Sequence, residues 1–253
     1  MGLKRVVLTV AIRPKDWYNR MVKTAAVLGL VVCVVLGLVF GRQMDRSTLL
    51  VSKQRDSAPC IIVDAGHGGF DGGAVALDGT VEKEINLSVA LKLQKLLQFH
   101  GAEVIMTRTE DIGTDRAEGA VIARRKKSDL QNRLALMEEH PNALYVSIHL
   151  NKFTTGAASG AQVFYTPNFN EAAVLGQCLQ DAFVKELQPE NKRTIKKGTS
   201  STYLLKNAKV PAVIVECGFL SNRQELKELK DPTYQSKLSF VILSGILKYF
   251  EQE

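Results

Sequence analysis

Apolar runs and amphipathic stretches alternate along the chain from Cys60 onward. Short apolar runs bounded by glycine, proline or charged residues predict five buried strands: Cys60–Val63, Glu103–Thr107, Leu144–Ile148, Gln162–Thr166 and Ala212–Val215. Apolar positions at helical spacing predict four helices, over Glu82–His100, Ser128–His140, Glu171 to about Leu187, and Pro232–Phe250. Apolar strands that alternate with helices indicate an α/β fold, a single domain whose mostly parallel sheet carries helices on both faces.

The first sixty residues predict a membrane anchor. Thr24–Gly41 is a run of 18 residues without a charge, and a helix of that length spans about 27 Å, against about 30 Å of membrane hydrocarbon. Basic side chains precede the run, so the positive-inside rule places residues 1–23 in the cytoplasm. The predicted order is a basic cytoplasmic segment 1–23, a transmembrane signal-anchor 24–41, a polar linker 42–59 and an extracytoplasmic domain 60–253. The alternative is a cleaved signal peptide that leaves a secreted protein.

The position of the charges argues against a nucleic-acid partner. The chain has a net charge of +7, from 33 Lys and Arg against 26 Asp and Glu. Residues 1–56 hold the whole excess, with ten basic and three acidic side chains, whereas residues 57–253 hold 23 of each sign. A domain without net positive charge lacks the electrostatic footprint that a polyphosphate requires. We therefore expect no nucleic acid as a partner.

Candidate chemistry lies where the predicted strands end. His67 follows the first strand, His149 follows the third, and Glu216 follows the strand from Ala212. Glu82 opens the first helix, one loop after His67. In open α/β sheets, ligands bind at the carboxyl ends of the strands. Two histidines and one carboxylate are the ligands of an open catalytic zinc site, and a second carboxylate nearby could accept a proton.

Each of these residues also has an ordinary structural explanation. A lone histidine at a strand end is more often a hydrogen-bonding core residue, and Glu82 alone is a favourable acid in the first turn of a helix. Glu216 is harder to explain in this way, because a carboxylate at the end of a buried strand is costly unless it is paired or functional. The glycine-rich loop 66–73 matches neither GxGxxG nor the Gly-Lys-Ser/Thr ending of a P-loop, the two common nucleotide-binding patterns. The basic run 124–127 is typical of a solvated loop or the start of a helix. Spacing alone leaves the metal site open.

Five sequence blocks together resemble the signature of the zinc-dependent N-acetylmuramoyl-L-alanine amidases, which act on peptidoglycan. The blocks occur in the family's order and the resemblance covers about residues 60–251. They are VDAGHGGFDGGA (63–74), EKEINLSVALKL (82–93), MTRTED (106–111), SIHLN (147–151) and VECGFLSN (215–222). The short N-terminal anchor and the RRK…DLQNR stretch (124–133) are similar to the sporulation and germination-specific branch of that family.

The resemblance implies a function and a set of site residues. His67, Glu82 and His149 would bind Zn²⁺, and Glu216 would be the catalytic carboxylate. The fold would be a twisted sheet of six strands flanked by helices. The reaction would be hydrolysis of the amide between the lactyl group of N-acetylmuramic acid and the L-alanine of the stem peptide, in maturation of the spore cortex. Peptidoglycan would be the substrate, the N-terminal anchor would contact the membrane, and the need for an accessory lipoprotein partner stays open.

Two other functions are compatible with the same residues. A zinc peptidase that cuts within the stem peptide would use the same metal ligands, and only the family resemblance separates it from an amidase. A membrane-tethered wall-binding protein with a degenerate site would need no catalysis. Against that alternative, all four candidate site residues are present.

Overall fold

A computed structural model describes residues 21–25, 27–28, 58–117, 119–199 and 202–252. Residues 21–25 and 27–28 are helical and exposed. The greater part of the segments 1–23, 24–41 and 42–59, including most of the anchor, lies outside the described residues. Within the described ranges no helix is both long and apolar enough to cross a membrane. Residues 55–253 form one compact unit.

The elements of this unit alternate between strand and helix for most of its length. The strands are β1 (Cys60–Ala65), β2 (Glu103–Met106), β3 (Leu144–Asn151), β4 (Gln162–Tyr165), β5 (Lys196–Lys197) and β6 (Ala212–Phe219). The helices are α1 (Glu82–Phe99), α2 (Ile122–Glu139), α3 (Asn170–Ala182, followed by a π-helical turn Phe183–Leu187), α4 (Tyr203–Asn207), α5 (Arg223–Leu229) and α6 (Pro232–Gln252).

The six strands form one mostly parallel sheet, in the order β2-β1-β3-β6-β4-β5. β2, β1, β3 and β6 run parallel to one another, whereas β4 runs antiparallel to β6 and parallel to β5. The carboxyl ends of β1, β3 and β6 therefore meet at one edge of the sheet. His149 in β3 and Glu216 in β6 are direct register partners at that edge.

Helices cover both faces of the sheet, which confirms the predicted α/β architecture. On one face, alternate residues of the strands pack with α1, α3 and α6 in the larger apolar core. On the other face, Ile62, Tyr145 and Ala212 pack with Met137 of α2 and Leu205 of α4. Side chains alternate along a strand. Asp64 of β1, His149 of β3 and Glu216 of β6 therefore project from the same face of the sheet as Ile62, Tyr145 and Ala212.

All the predicted strands and helices are present. Several of them extend beyond their predicted ends, through polar residues. β3 extends to Asn151 and β6 to Phe219, beyond the predicted ends Ile148 and Val215. α2 begins at Ile122 rather than Ser128, so the basic run 124–127 belongs to the helix. The elements β5, α4 and α5 were not predicted. The sixth strand, which only the family resemblance implied, is β5, with two lysines.

Candidate metal centre and active site

The loop after β1 turns the chain sharply and presents His67 to the end of the sheet. His67 has a φ of 62°, a left-handed conformation that is rare for a residue with a side chain. Gly68 and Gly69 follow with φ values of 140° and 53°, which glycine adopts without a steric penalty. The backbone of Gly68 pairs with that of Asp71 and closes the turn. The glycine-rich sequence therefore produces a tight loop with one histidine at its centre.

The structure brings the three predicted metal ligands together. One ligand atom each from His67, Glu82 and His149 lies within 4.8 Å of the other two. Nε2 of His67 lies 3.3 Å from Oε2 of Glu82, and Nδ1 of His149 lies 2.9 Å from Oε1 of Glu82. The two imidazole rings meet edge to face. Two ring nitrogens and a carboxylate around one point form a candidate metal-binding triad.

Glu82 is fixed in place by the backbone and by one side chain. It is the first residue of α1 and is buried. Its Oε2 accepts a hydrogen bond of 2.8 Å from the backbone N–H of Ala74, and its Oε1 accepts one of 3.0 Å from Leu150. Asn86, one turn later on α1, donates to the same Oε1 at 3.2 Å and to the carbonyl of Gly66. The carboxylate thus connects the glycine loop, α1 and β3.

Two glycines are required because the backbone passes directly beside the triad. A Cβ added to Gly66 would overlap the imidazole ring of His149. A Cβ on Gly73, whose φ is 71°, would lie 2.6 Å from Oε2 of Glu82 and 2.6 Å from the ring of His67. Glycine at these two positions therefore lets the backbone pass close to the triad.

The electrostatics of the triad favour a bound cation. Burial alone would lower the pKa of His67, but the carboxylates of Asp71 and Glu82 raise it to about 9. The pKa of Glu82 lies well below its usual range, because His149 and His67 outweigh the effect of burial. The site therefore stabilises positive charge at its centre. A set of two imidazoles and one carboxylate fits the ligand preference of a catalytic zinc site.

Glu216 lies beside the triad with an unused polar atom. Its Oε2 is shielded from solvent and has no hydrogen-bond partner among the described residues. Burial raises the pKa of the Glu216 carboxyl to about 7, and the proximity of His149 only partly offsets this effect. Because Glu216 and His149 are register partners on adjacent strands, their side chains project from the same face of the sheet. A carboxyl group that titrates near neutrality beside a cation site can accept and return a proton.

The comparisons with known proteins identify the family. The family model described as N-acetylmuramoyl-L-alanine amidase matches residues 61–248. The chain belongs to this family. Among its relatives, the germination-specific N-acetylmuramoyl-L-alanine amidase of Bacillus subtilis is 41% identical over 199 residues, which cover 78% of this chain and 82% of that protein.

Solved structures agree with this family membership. The CwlD amidase from Clostridioides difficile, in complex with the GerS lipoprotein, is 38% identical with a TM-score of 0.74, covering 77% of this chain and all of that one. The amidase AmiC2 of Nostoc punctiforme is 26% identical with a TM-score of 0.66, covering 76% of this chain and 97% of that one. These matches confirm the resemblance that the sequence predicted. The chain belongs to the amidase family and is similar to germination-specific members of it.

In this family member, Asp71 and the start of α2 support His67. Oδ2 of Asp71 lies 2.8 Å from Nδ1 of His67, and its Oδ1 lies 2.9 Å from Nζ of Lys126. Arg125 places its guanidinium over the ring of Phe70, 4.0 Å from the centroid. The basic run 124–127 is thus only partly solvated, since two of its members hold the glycine loop. Sequence reasoning assigned no role to Asp71, although it lies four residues after His67 in the same loop.

Two buried arginines support the loop from beneath. Arg133 of α2 donates to the carbonyl of His67 at 2.9 Å and forms an ion pair with Asp64 of β1. Arg108 donates to the carbonyls of Ala65 and Gly66, at 2.9 and 3.1 Å. Asp64 was not predicted as a site residue. The signal that pointed to Glu216, a carboxylate at the end of a buried strand, applies equally to Asp64.

Proposed function

We propose that the chain hydrolyses the amide that joins the lactyl group of N-acetylmuramic acid to L-alanine in peptidoglycan. In this proposal His67, Glu82 and His149 hold a zinc ion and Glu216 transfers the proton. The observation that carries the proposal is the position of Glu216 next to the candidate metal-binding triad. Its shielded Oε2 has no hydrogen-bond partner in the part of the chain that the structure describes. Membership of the amidase family supports the choice of bond.

The metal and the protein contribute different parts of the chemistry. A bound zinc ion supplies Lewis acidity, which makes an amide carbonyl more electrophilic and water more acidic. The protein keeps the three ligands in place before any metal binds, because Glu82 is fixed by the N–H groups of Ala74 and Leu150. Asp71 fixes the ring of His67 through Nδ1, which leaves Nε2 directed at Glu82.

Glu216 performs the proton transfers. Amide hydrolysis requires a base that removes a proton from the attacking water and an acid that protonates the leaving amine. A single carboxyl group serves both steps, because it accepts the proton as a carboxylate and returns it as a carboxylic acid. The amine that leaves is the N-terminus of L-alanine, and it departs with the proton that Glu216 first accepted.

The test uses the full chain loaded with zinc and glycan strands that carry stem peptides. Mass spectrometry should identify released peptides with a new N-terminal L-alanine, together with muramic acid that has lost its peptide. Cleavage between two amino acids of the stem peptide would contradict the amidase assignment and favour a peptidase. A folded, zinc-loaded chain that binds the strands and releases nothing would favour a wall-binding role and contradict the proposal.

We also propose that the chain acts on spore cortex peptidoglycan with a lipoprotein partner. The support is its similarity to a germination-specific amidase and to a CwlD amidase solved in complex with the GerS lipoprotein. The test measures peptide release from cortex peptidoglycan by the purified chain, with and without the equivalent lipoprotein of the same organism. Equal rates under both conditions, with no co-elution of the two proteins, would contradict the partnership.

Residues 24–41 remain a predicted anchor that keeps the catalytic domain 60–253 on the outer face of the membrane. Their support is the sequence, namely an uncharged run preceded by basic residues. Fractionation of cells that produce the full chain, with protease added to one side of the membrane, tests the topology. A soluble chain that begins after residue 41 would favour the cleaved signal peptide.

A further inference from the structure

An arginine that forms no ion pair with any described residue lies one strand away from Glu216. Across the sheet, His149 of β3 is the register partner of Glu216 in β6, and Glu216 is in turn the register partner of Gln162 in β4. Arg193, in the loop before β5, donates from Nη1 to Oε1 of Gln162 at 3.1 Å. The row of side chains that starts at the metal triad therefore continues through Glu216 and Gln162 to Arg193.

The guanidinium of Arg193 is held rigidly. Its Nε donates to the carbonyl of Ser159 at 2.7 Å, and its Cζ lies 4.5 Å from the centroid of the Phe219 ring. The backbone N–H of Arg193 donates to the side chain of Asn191 at 2.9 Å. Among the described residues no carboxylate forms an ion pair with Arg193. Glu225 acts on Arg193 electrostatically without forming an ion pair with it. A positioned, half-buried guanidinium that no described carboxylate contacts directly is suited to an external anion.

Arg193 opens onto a surface cavity of about 530 Å³, a volume within the range of small-molecule sites. Two acids line the cavity. Glu225 uses both carboxylate oxygens on backbone N–H groups, those of Gly160 at 2.7 Å and Phe219 at 2.8 Å. Glu190 is exposed. The basic side chains that line the cavity are Lys192 and Arg193.

We propose that Arg193 binds a carboxylate of the stem peptide, carried by the residue that follows L-alanine on the leaving side of the cleaved amide. This inference rests on the proposed amidase function. An extended peptide advances about 3.4 Å per residue, so that residue lies about 7 Å from the scissile bond. Adjacent strands are about 4.8 Å apart. Arg193 contacts Gln162 of β4, the strand next to Glu216, so its guanidinium lies a little more than one strand spacing from Glu216. The ligand class is a peptide with a free α-carboxylate at its second position.

The experiment compares two substrates that differ in one group. Both are synthetic muropeptides, and the residue after L-alanine carries either a free carboxylate or the neutral carboxamide. The zinc-loaded full chain should cleave the carboxylate substrate with a kcat/KM about tenfold higher. Arg193→Met should abolish the preference by slowing the carboxylate substrate alone. Lys192→Met removes an exposed charge from the same cavity and should keep the preference.

Further measurements separate the possible failures. Arg193→Lys keeps the charge without the two-pronged geometry and should retain part of the preference, which covers the case in which Arg193→Met does not fold. Calorimetry with the released peptides, as carboxylate and as carboxamide, tests the site without turnover. Equal kcat/KM values for the two substrates in the unmodified chain, or a preference that survives Arg193→Met, would overturn the inference. No cleavage of either substrate, with tighter binding of the carboxylate peptide that is lost in Arg193→Met, would overturn the amidase proposal and support the carboxylate site.

Discussion

Oδ2 of Asp71 lies 2.8 Å from Nδ1 of His67, and this contact fixes the orientation of the imidazole ring. Asp71 is itself anchored by Lys126 and by the backbone N–H of Gly73. A carboxylate bonded to the far nitrogen of a metal-ligating histidine sets its tautomer and raises its basicity. The start of α2 therefore contributes to the metal site indirectly, because Lys126 holds Asp71 and Asp71 holds the ring of His67.

Asp71→Asn should weaken metal binding while the fold is retained. Loss of the charged acceptor lowers the basicity of His67 and frees its ring, and changes of this kind typically cost about 10- to 100-fold in metal affinity. Competition with a chromophoric zinc chelator measures the change. Asp78→Asn removes an exposed carboxylate that pairs with Lys230 and serves as the matched control. An unaltered zinc affinity in Asp71→Asn would show that the contact is dispensable.

Glu216→Gln should separate metal binding from catalysis. The amide keeps the shape of the side chain but cannot accept a proton, so turnover should fall by about 10²- to 10⁴-fold while zinc content stays the same. Stability should not decrease, since the substitution removes a shielded carboxyl whose Oε2 has no hydrogen-bond partner among the residues described. Peptide release and metal analysis on the same preparation provide both readouts. Activity close to that of the unmodified chain would exclude Glu216 as the proton-transfer group.

Gly66→Ala should disrupt the metal site through packing alone. The added Cβ would overlap the ring of His149 and displace this ligand, so zinc affinity should fall by more than about tenfold. Gly72→Ala is a close control, because it lies in the same loop and its Cβ would meet only a methyl group of Val81, at 3.0 Å. Equal zinc affinities in the two variants would contradict the packing argument.

Acid should lower the free energy of unfolding by protonating Asp64. Burial would raise the pKa of Asp64, but Arg133 and the hydroxyl of Ser147 outweigh it and hold the pKa at about 2, against about 3.9 in an unfolded chain. The folded-state pKa is the lower one, so the stabilisation is complete above about pH 4 and is lost as the pH falls through 2. Its size is on the order of 2 kcal/mol.

Urea unfolding of the metal-free chain at pH 7, 4 and 2 measures this loss. Asp64→Asn should lose stability at pH 7, because it removes one of the two carboxylates, Asp64 and Asp129, that pair with the buried Arg133. The same variant should show a smaller decline between pH 4 and 2 than the unmodified chain. A decline of the same size in both proteins would assign the acid sensitivity to other groups.

The sequence predicted the architecture because apolar periodicity reports burial. β1, β3 and β6 are continuous apolar runs, as expected for strands that are covered on both faces. The prediction ended β3 at Ile148 and β6 at Val215, whereas both strands continue through the polar residues of the site. β5 has no apolar residue, so periodicity could not find it. The beginning of α2 was missed because its first turns are mostly charged and exposed.

The residues of the candidate triad could be predicted from the sequence. The side chains that hold the triad in place could not. His67, Glu82 and His149 stand at predicted element ends, where sheet topology brings chain segments together. The contact between Asp71 and Lys126 joins residues that are 55 positions apart, and nothing in the local sequence of either predicts the other. Arg193 was missed for the same reason, since its significance depends on the strand order β6-β4-β5.

The three residues of the triad lie on separate parts of the chain, at the β1 loop, the first turn of α1 and the end of β3. An unfolded chain therefore has no preformed site, and the triad exists only after β3 has paired with β1. Metal binding is therefore coupled to folding. Ligand geometry, ligand type and metal availability together select the ion at a set of this type, so the metal content of the compartment in which the chain folds contributes to that selection.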